Sequence, residues 1–118
     1  MEEAARSLGG LGILVNNAGI ALYNRVADIT VEEIDALFAV NARGPILAAQ
    51  AAIPHLSAGG RIITIGSAGA DRIVGATGTV YYMTKSGIRH KWLKGNFEPR
   101  AELQVRNYFP ARRPPLAA

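Results

Sequence analysis

The sequence contains no cysteine, which excludes a disulfide framework and any thiolate-based metal or redox chemistry. Histidine is nearly missing too. The two that occur, His55 and His90, lie too far apart for a short metal-binding motif. No apolar run approaches the ~20 residues of a bilayer span. The opening Met1-Glu2-Glu3 is acidic rather than basic, so neither a signal peptide nor a transmembrane helix is expected and the cytoplasm is the expected compartment. Positive charge is scarce over most of the chain: residues 1–85 hold six Lys/Arg against seven Asp/Glu, whereas residues 86–118 hold seven against two. The net charge of +4 is therefore a property of the tail. With no RNA-binding or helix-turn-helix signature beside it, that tail reads as solvated charge and not as a nucleic-acid site.

What is present is a chain of 118 residues, 49% hydrophobic and 19% charged, enough for one soluble domain with a core. Ile13-Leu14-Val15 is a short apolar run ended by Asn16-Asn17-Ala18-Gly19. A second, Ile62-Ile63-Thr64-Ile65, is opened by Gly59-Gly60 and closed by Gly66-Ser67. Such β-branched runs without alternation predict strands buried on both faces of a parallel sheet. Between them, Thr30 followed by Glu33 forms a capping box. Ile34, Leu37 and Phe38 then follow at helical spacing, continuing to Ala48, Ala49 and Ala52, with Pro54 closing the helix. A second helix is predicted from Tyr81 onward. Strand, helix, strand, helix in that order predicts right-handed crossovers in an α/β layered sheet.

In such a sheet, ligands bind beyond the carboxyl ends of the strands, where Asn16–Gly19 and Gly66–Ser67 both fall. Either segment alone is ordinary turn chemistry. Val80-Tyr81-Tyr82-Met83-Thr84-Lys85-Ser86-Gly87 adds a phenol and an ammonium four residues apart, on one face of a helix. A tyrosine serves as acid or base near neutral pH only where its phenolate is stabilised. An ammonium ~5 Å away, at an effective dielectric of ~20, contributes about 3 kcal/mol to that. The same ammonium can hold a ribose hydroxyl, and a serine such as Ser67 can donate to a carbonyl oxygen that gains negative charge. Tyr82 has serine four residues on and is expected to pack. A Tyr-x-x-x-Lys spacing also arises by chance, and by itself it describes an exposed surface pair equally well.

The blocks LVNNAGI (Leu14–Ile20), FAVNARG (Phe38–Gly44), GGRIITIGSAG (Gly59–Gly69) and YYMTK (Tyr81–Lys85), in that order and spacing, resemble the short-chain dehydrogenase/reductase family, and within it the branch that includes the 3-oxoacyl-carrier-protein reductases. The resemblance covers about Leu8–Ile88. It implies a partial Rossmann-like doubly wound parallel sheet, of class α/β, with only the central strands and helices. It further implies an NAD(P)-dependent oxidoreductase moving a hydride between nicotinamide and a small-molecule carbonyl or secondary alcohol. The roles it implies are Tyr81 as acid/base, Lys85 as its partner and ribose holder, and Ser67 as donor to the substrate oxygen. Asn41 becomes the helix-kink residue of a proton relay, where its residue type alone suggests only local backbone bonding. Asn17, Ala18 and Gly19 would border the NADP or NAD cofactor. Family assemblies built on the helices after Thr30 and around Tyr81 imply a possible homo-oligomer.

Departures from the family pattern are equally specific. The glycine-rich cofactor loop, Thr-Gly-x-x-x-Gly-x-Gly, does not occur, and Gly12 stands where the family usually has aspartate. The chain divides into a partial dehydrogenase domain, residues 1–88, and a divergent basic, proline-bearing tail, residues 89–118, in which Val105–Asn107 matches the family's next strand only faintly. Ala111–Ala118 is expected to be disordered. The expected explanation is an internal start and a reading frame lost near Arg89, so that independent activity is not expected. The alternative function is a truncated, catalytically inactive remnant acting at most as a binding or assembly module.

Overall fold

The structure is a computed structural model and describes residues 1–70, 75–87 and 104–108. The expected disorder of residues 111–118 and the course of the chain just beyond Gly87 lie outside the described residues.

A short helix α1, Glu2–Leu8, carries Glu2 and Glu3 in its first turn and Arg6 in its last, the order that suits the helix dipole. It ends at Gly9, whose φ of 70° is a left-handed cap, with the Gly9 N–H returned to the carbonyls of Ala5 and Arg6. Strand β1, Leu11–Asn16, follows at once. The capping box is present as read: the Glu33 N–H donates to Thr30 Oγ1 at 3.2 Å and the Thr30 N–H to Glu33 Oε2 at 2.9 Å. It starts helix α2, Val31–Phe38.

The single helix expected from Thr30 to Ala52 is divided. A π-helical turn, Ala39–Arg43, separates α2 from α3, Gly44–Ala52, and a 3₁₀ turn at Ile53–His55 ends the run. Of the residues read as its inner stripe, Leu37, Ala49 and Ala52 are buried, while Phe38, at the end of α2, is exposed. Contrary to the expectation that no apolar run approaches a bilayer span, the run Val31–His55 is long and apolar enough to cross a membrane by length and composition. Here its Ala49 and Ala52 pack onto the sheet.

Strand β2, Leu56–Ile65, begins three residues before the expected Gly59-Gly60 opening. It pairs parallel with β1 from Ile13↔Arg61 to Asn16↔Thr64, after a register shift that Gly59, at φ 78°, accommodates. A 3₁₀ turn at Ala68–Ala70 and helix α4, Thr79–Gly87, follow; α4 starts two residues before Tyr81. Strand β3, Gln104–Tyr108, then pairs parallel with β2, Ile62 facing Val105. The segment whose family match was faint is thus a strand, and the sheet order is β1-β2-β3.

Ala49 and Ile62 form one core cluster with Leu14, Ile53 and Leu56 against it; Ala5, Leu11 and Ala52 form a second. On the other sheet face, Ile13 and Val15 are 55% and 51% exposed. Burial of β1 on both faces was expected and is not observed among the described residues. Parallel strands are covered on a face only where a crossover helix lies on it, and α3 covers the face that carries Leu14 and Ile62.

Candidate active site

Two strand exits and one helix meet at the carboxyl end of the sheet. After β1 the chain runs through Asn17, Ala18 and Gly19, all exposed. After β2 it passes Gly66 and Ser67, and α4 lies across both exits with Tyr81 and Lys85 one turn apart.

Asn41 joins them. It is 0% exposed. Its Oδ1 accepts the Ile20 N–H at 2.9 Å, and its Nδ2 donates to the Ile20 carbonyl at 2.8 Å and to Thr84 Oγ1 at 3.1 Å. The Thr84 hydroxyl donates in turn to the Tyr81 carbonyl at 2.7 Å. A side-chain amide presents a donor and an acceptor in the geometry of a peptide, so Asn41 pairs with Ile20 as a neighbouring strand would and fixes the Asn17–Gly19 exit. Its position within the π turn fits the tendency of such turns to mark functional sites. The local backbone bonding that its residue type suggested is replaced by bonds to residues 21 and 43 positions away. Thr84 was missed by the sequence reading; its position between Tyr81 and Lys85 was the available signal.

Lys85 is 7% exposed, and its Nζ donates to the Ile65 carbonyl at 3.2 Å. Burial pushes its ammonium below the ordinary lysine pKa of 10.5. A folded state with a lowered lysine pKa binds fewer protons than the unfolded chain between the two values, so stability rises with pH across that window. In urea titrations from roughly pH 7 to pH 10, the wild type should gain stability relative to Lys85→Met as pH rises. Parallel profiles would show that the charge is not strained by the fold. Gly19 is what lets Lys85 come so close: a Cβ there would lie 3.0 Å from Nζ and 3.3 Å from Asn41 Oδ1.

Ser67 Oγ accepts the Gly69 N–H at 3.3 Å, which leaves the hydroxyl hydrogen available to donate. Tyr82 packs as expected, with its ring against Gly69 and Gly78, while the Ser86 hydroxyl ties α4 to the Ala70 carbonyl at 3.2 Å. The Tyr81 ring lies tilted against Tyr82 and edge-on to Tyr23, with ring centroids at 5.2 and 5.5 Å. Tyr23 was not singled out in the sequence. A concavity of 480 Å³ lined by Asp35, Phe38, Ala39, Ala42 and Arg43 contains none of these residues.

A family model described as enoyl-(acyl carrier protein) reductase matches residues 1–92, the span that holds this arrangement. The chain belongs to the short-chain dehydrogenase/reductase family. Elsinochrome reductase 1 of Elsinoe fawcettii is 40% identical over 87 residues, which cover 74% of this chain and 33% of that protein. Among solved structures, a short-chain dehydrogenase from Burkholderia cenocepacia in complex with NADP superposes with a TM-score of 0.71 at 44% identity, over 74% of this chain and 36% of the other. A blue fluorescent protein from a metagenomic library, in complex with NADPH, gives 0.70 at 40% identity, over 74% and 35%. The chain spans about a third of the length of these relatives. The fold is accordingly a partial Rossmann-type α/β sheet of this family.

Proposed function

We propose that the chain carries the reducing centre of an NAD(P)-dependent oxidoreductase acting on a small carbonyl compound or the corresponding secondary alcohol. The observation that carries this reading is Lys85: a nearly buried ammonium whose partner among the described residues is one backbone carbonyl. Burying an ammionium without a carboxylate is costly, and two of its three donors remain for a ligand hydroxyl. The space beside it, which a Cβ on residue 19 would fill, fits the ribose end of a nicotinamide cofactor bordered by Asn17, Ala18 and Gly19. The glycine-rich loop that would hold a pyrophosphate does not occur in the sequence.

A bound nicotinamide would supply the hydride that reduces the carbonyl carbon. Ser67 donates its free hydroxyl hydrogen to the substrate oxygen and holds it as negative charge develops. Tyr81 delivers the proton to that oxygen, and the Lys85 charge one turn away stabilises the negative charge left on the phenol. Asn41, through Ile20 and Thr84, keeps the β1 exit and α4 in register. Phe38, Ile46, Leu47 and Met83 are exposed on the helices of this layer, which supports a homo-oligomer.

Titration with NADPH, read by nicotinamide fluorescence, tests the proposal. Saturable binding is expected, weakened about tenfold in Lys85→Ala, the loss of one charged hydrogen bond. A second reading, a catalytically inactive binding or assembly module, is favoured by the open sheet face at Ile13 and Val15. A chain that is folded by circular dichroism and binds no NADPH at millimolar concentration would establish it in place of the first.

A further inference from the structure

Tyr23 is anchored in an unusual way for a solvent-exposed aromatic residue. Its side chain is on a loop, 56% exposed, yet the loop is tied on two sides. The Gly78 N–H donates to the Asn24 carbonyl at 3.1 Å, and Asn24 Nδ2 donates to both Glu33 carboxylate oxygens at 3.0 Å. The ring rests on Gly78, where a Cβ would come within 2.8 Å of Tyr23 Cδ1. It meets Tyr81 edge-on, centroids 5.5 Å apart at 63°, and Tyr82 at 6.4 Å and 61°. A ring serving only to fill a core would be buried; this one is held in place with much of its surface open beside the phenol that carries the chemistry.

Building on the reductase reading above, we propose that Tyr23 forms one wall of the substrate site and selects planar aromatic carbonyl compounds over saturated ones of the same shape. Aromatic rings favour edge-to-face and offset-stacked neighbours. Tyr81 and Tyr23 stand at 63° to each other, so a flat ring lying against one of them meets the other at an angle. Because the wall is already fixed by Asn24 and Gly78, little ordering is lost when a ligand enters. Burial, and the neighbouring Tyr81 and Tyr82, raise the Tyr23 pKa above its ordinary value, so the wall stays an uncharged ring throughout the neutral range.

The test needs no turnover. Acetophenone and cyclohexyl methyl ketone, which differ in aromaticity and little in outline, are titrated against the 118-residue chain by ligand-observed NMR. Acetophenone should bind about fivefold more tightly. Tyr23→Ala should bring the ratio close to one, and Tyr23→Phe should keep it. An unchanged ratio in Tyr23→Ala, or no acetophenone binding by the folded wild type, would overturn the proposal. NADPH titration of the same samples separates the two ideas. Cofactor binding without a Tyr23-dependent ratio removes only the aromatic wall. A Tyr23-dependent ratio without cofactor binding removes the reductase reading and leaves an aromatic-ligand site.

Discussion

Asn41→Ala should lower the unfolding free energy by about 3 kcal/mol, a large share of the roughly 5–15 kcal/mol that holds a domain together. The substitution removes a side chain that is 0% exposed and makes three hydrogen bonds. What matters energetically is the set of groups left behind. Ile20 loses a partner for both its N–H and its carbonyl, and Thr84 Oγ1 loses its donor; each unsatisfied buried group costs about 1–3 kcal/mol. Ile20 is only partly buried, so water recovers some of that, which is why the expected total stays below the simple sum. Asn41→Asp keeps the acceptor for the Ile20 N–H but loses both donors and buries a charge, and should do no better. Urea denaturation gives the free energy, and amide exchange at Ile20 should accelerate in step. A shift below about 1 kcal/mol would mean that the clamp is not what holds the β1 exit to α4.

Gly69→Ala is the second large effect, expected at about 2–3 kcal/mol. A Cβ at position 69 would overlap the Tyr82 ring, lying 2.1 Å from Cε1 and 2.6 Å from Cζ. That ring has little freedom to retreat, because Gly78 lies against its other edge and Tyr81 is 5.2 Å away, centroid to centroid. The displacement is therefore passed to Tyr81, and ligand binding at the site should weaken together with stability. A double-mutant cycle isolates the cause. In a Tyr82→Ala background the added methyl has room, so Gly69→Ala should cost almost nothing there. Equal costs in both backgrounds would place the strain elsewhere.

These two residues also mark the limit of what the sequence reveals. Local chemistry was legible because its cause is local: the Thr30/Glu33 capping box needs only a spacing of three, and the turn residues after β1 and β2 need only their own backbone preferences. The parallel pairing of β1 and β2 followed from two apolar runs separated by a helix. Asn41 was found by family pattern alone, since its partners are distant in sequence and no periodicity points to them. Tyr23 and Thr84 were not found at all, the first because it lies in a loop without periodicity and the second because its only signal, a place between Tyr81 and Lys85, does not reveal its partner Asn41, 43 positions away. Val105–Asn107 was read as a faint match. Its pairing with Ile62–Thr64 is a tertiary fact, set by an open strand edge that accepts a parallel neighbour.

The π turn at Ala39–Arg43 has a consequence for chain length. Leu37, Asn41, Pro45 and Ala49 are all buried, a spacing of four residues held over three intervals. In an unbroken α-helix, at about 100° per residue, twelve residues overshoot three full turns by about 120°, which would carry Ala49 well off the line of Leu37. The wider i→i+5 turn takes back part of that overshoot and returns α3 to the sheet. The segment therefore works as a phase corrector that depends on the number of residues more than on their identity. Removing one residue there would leave an ordinary α turn of nearly the same total rotation, so α3 would keep Ala49 against Ile62 and the widened turn itself would be what is lost.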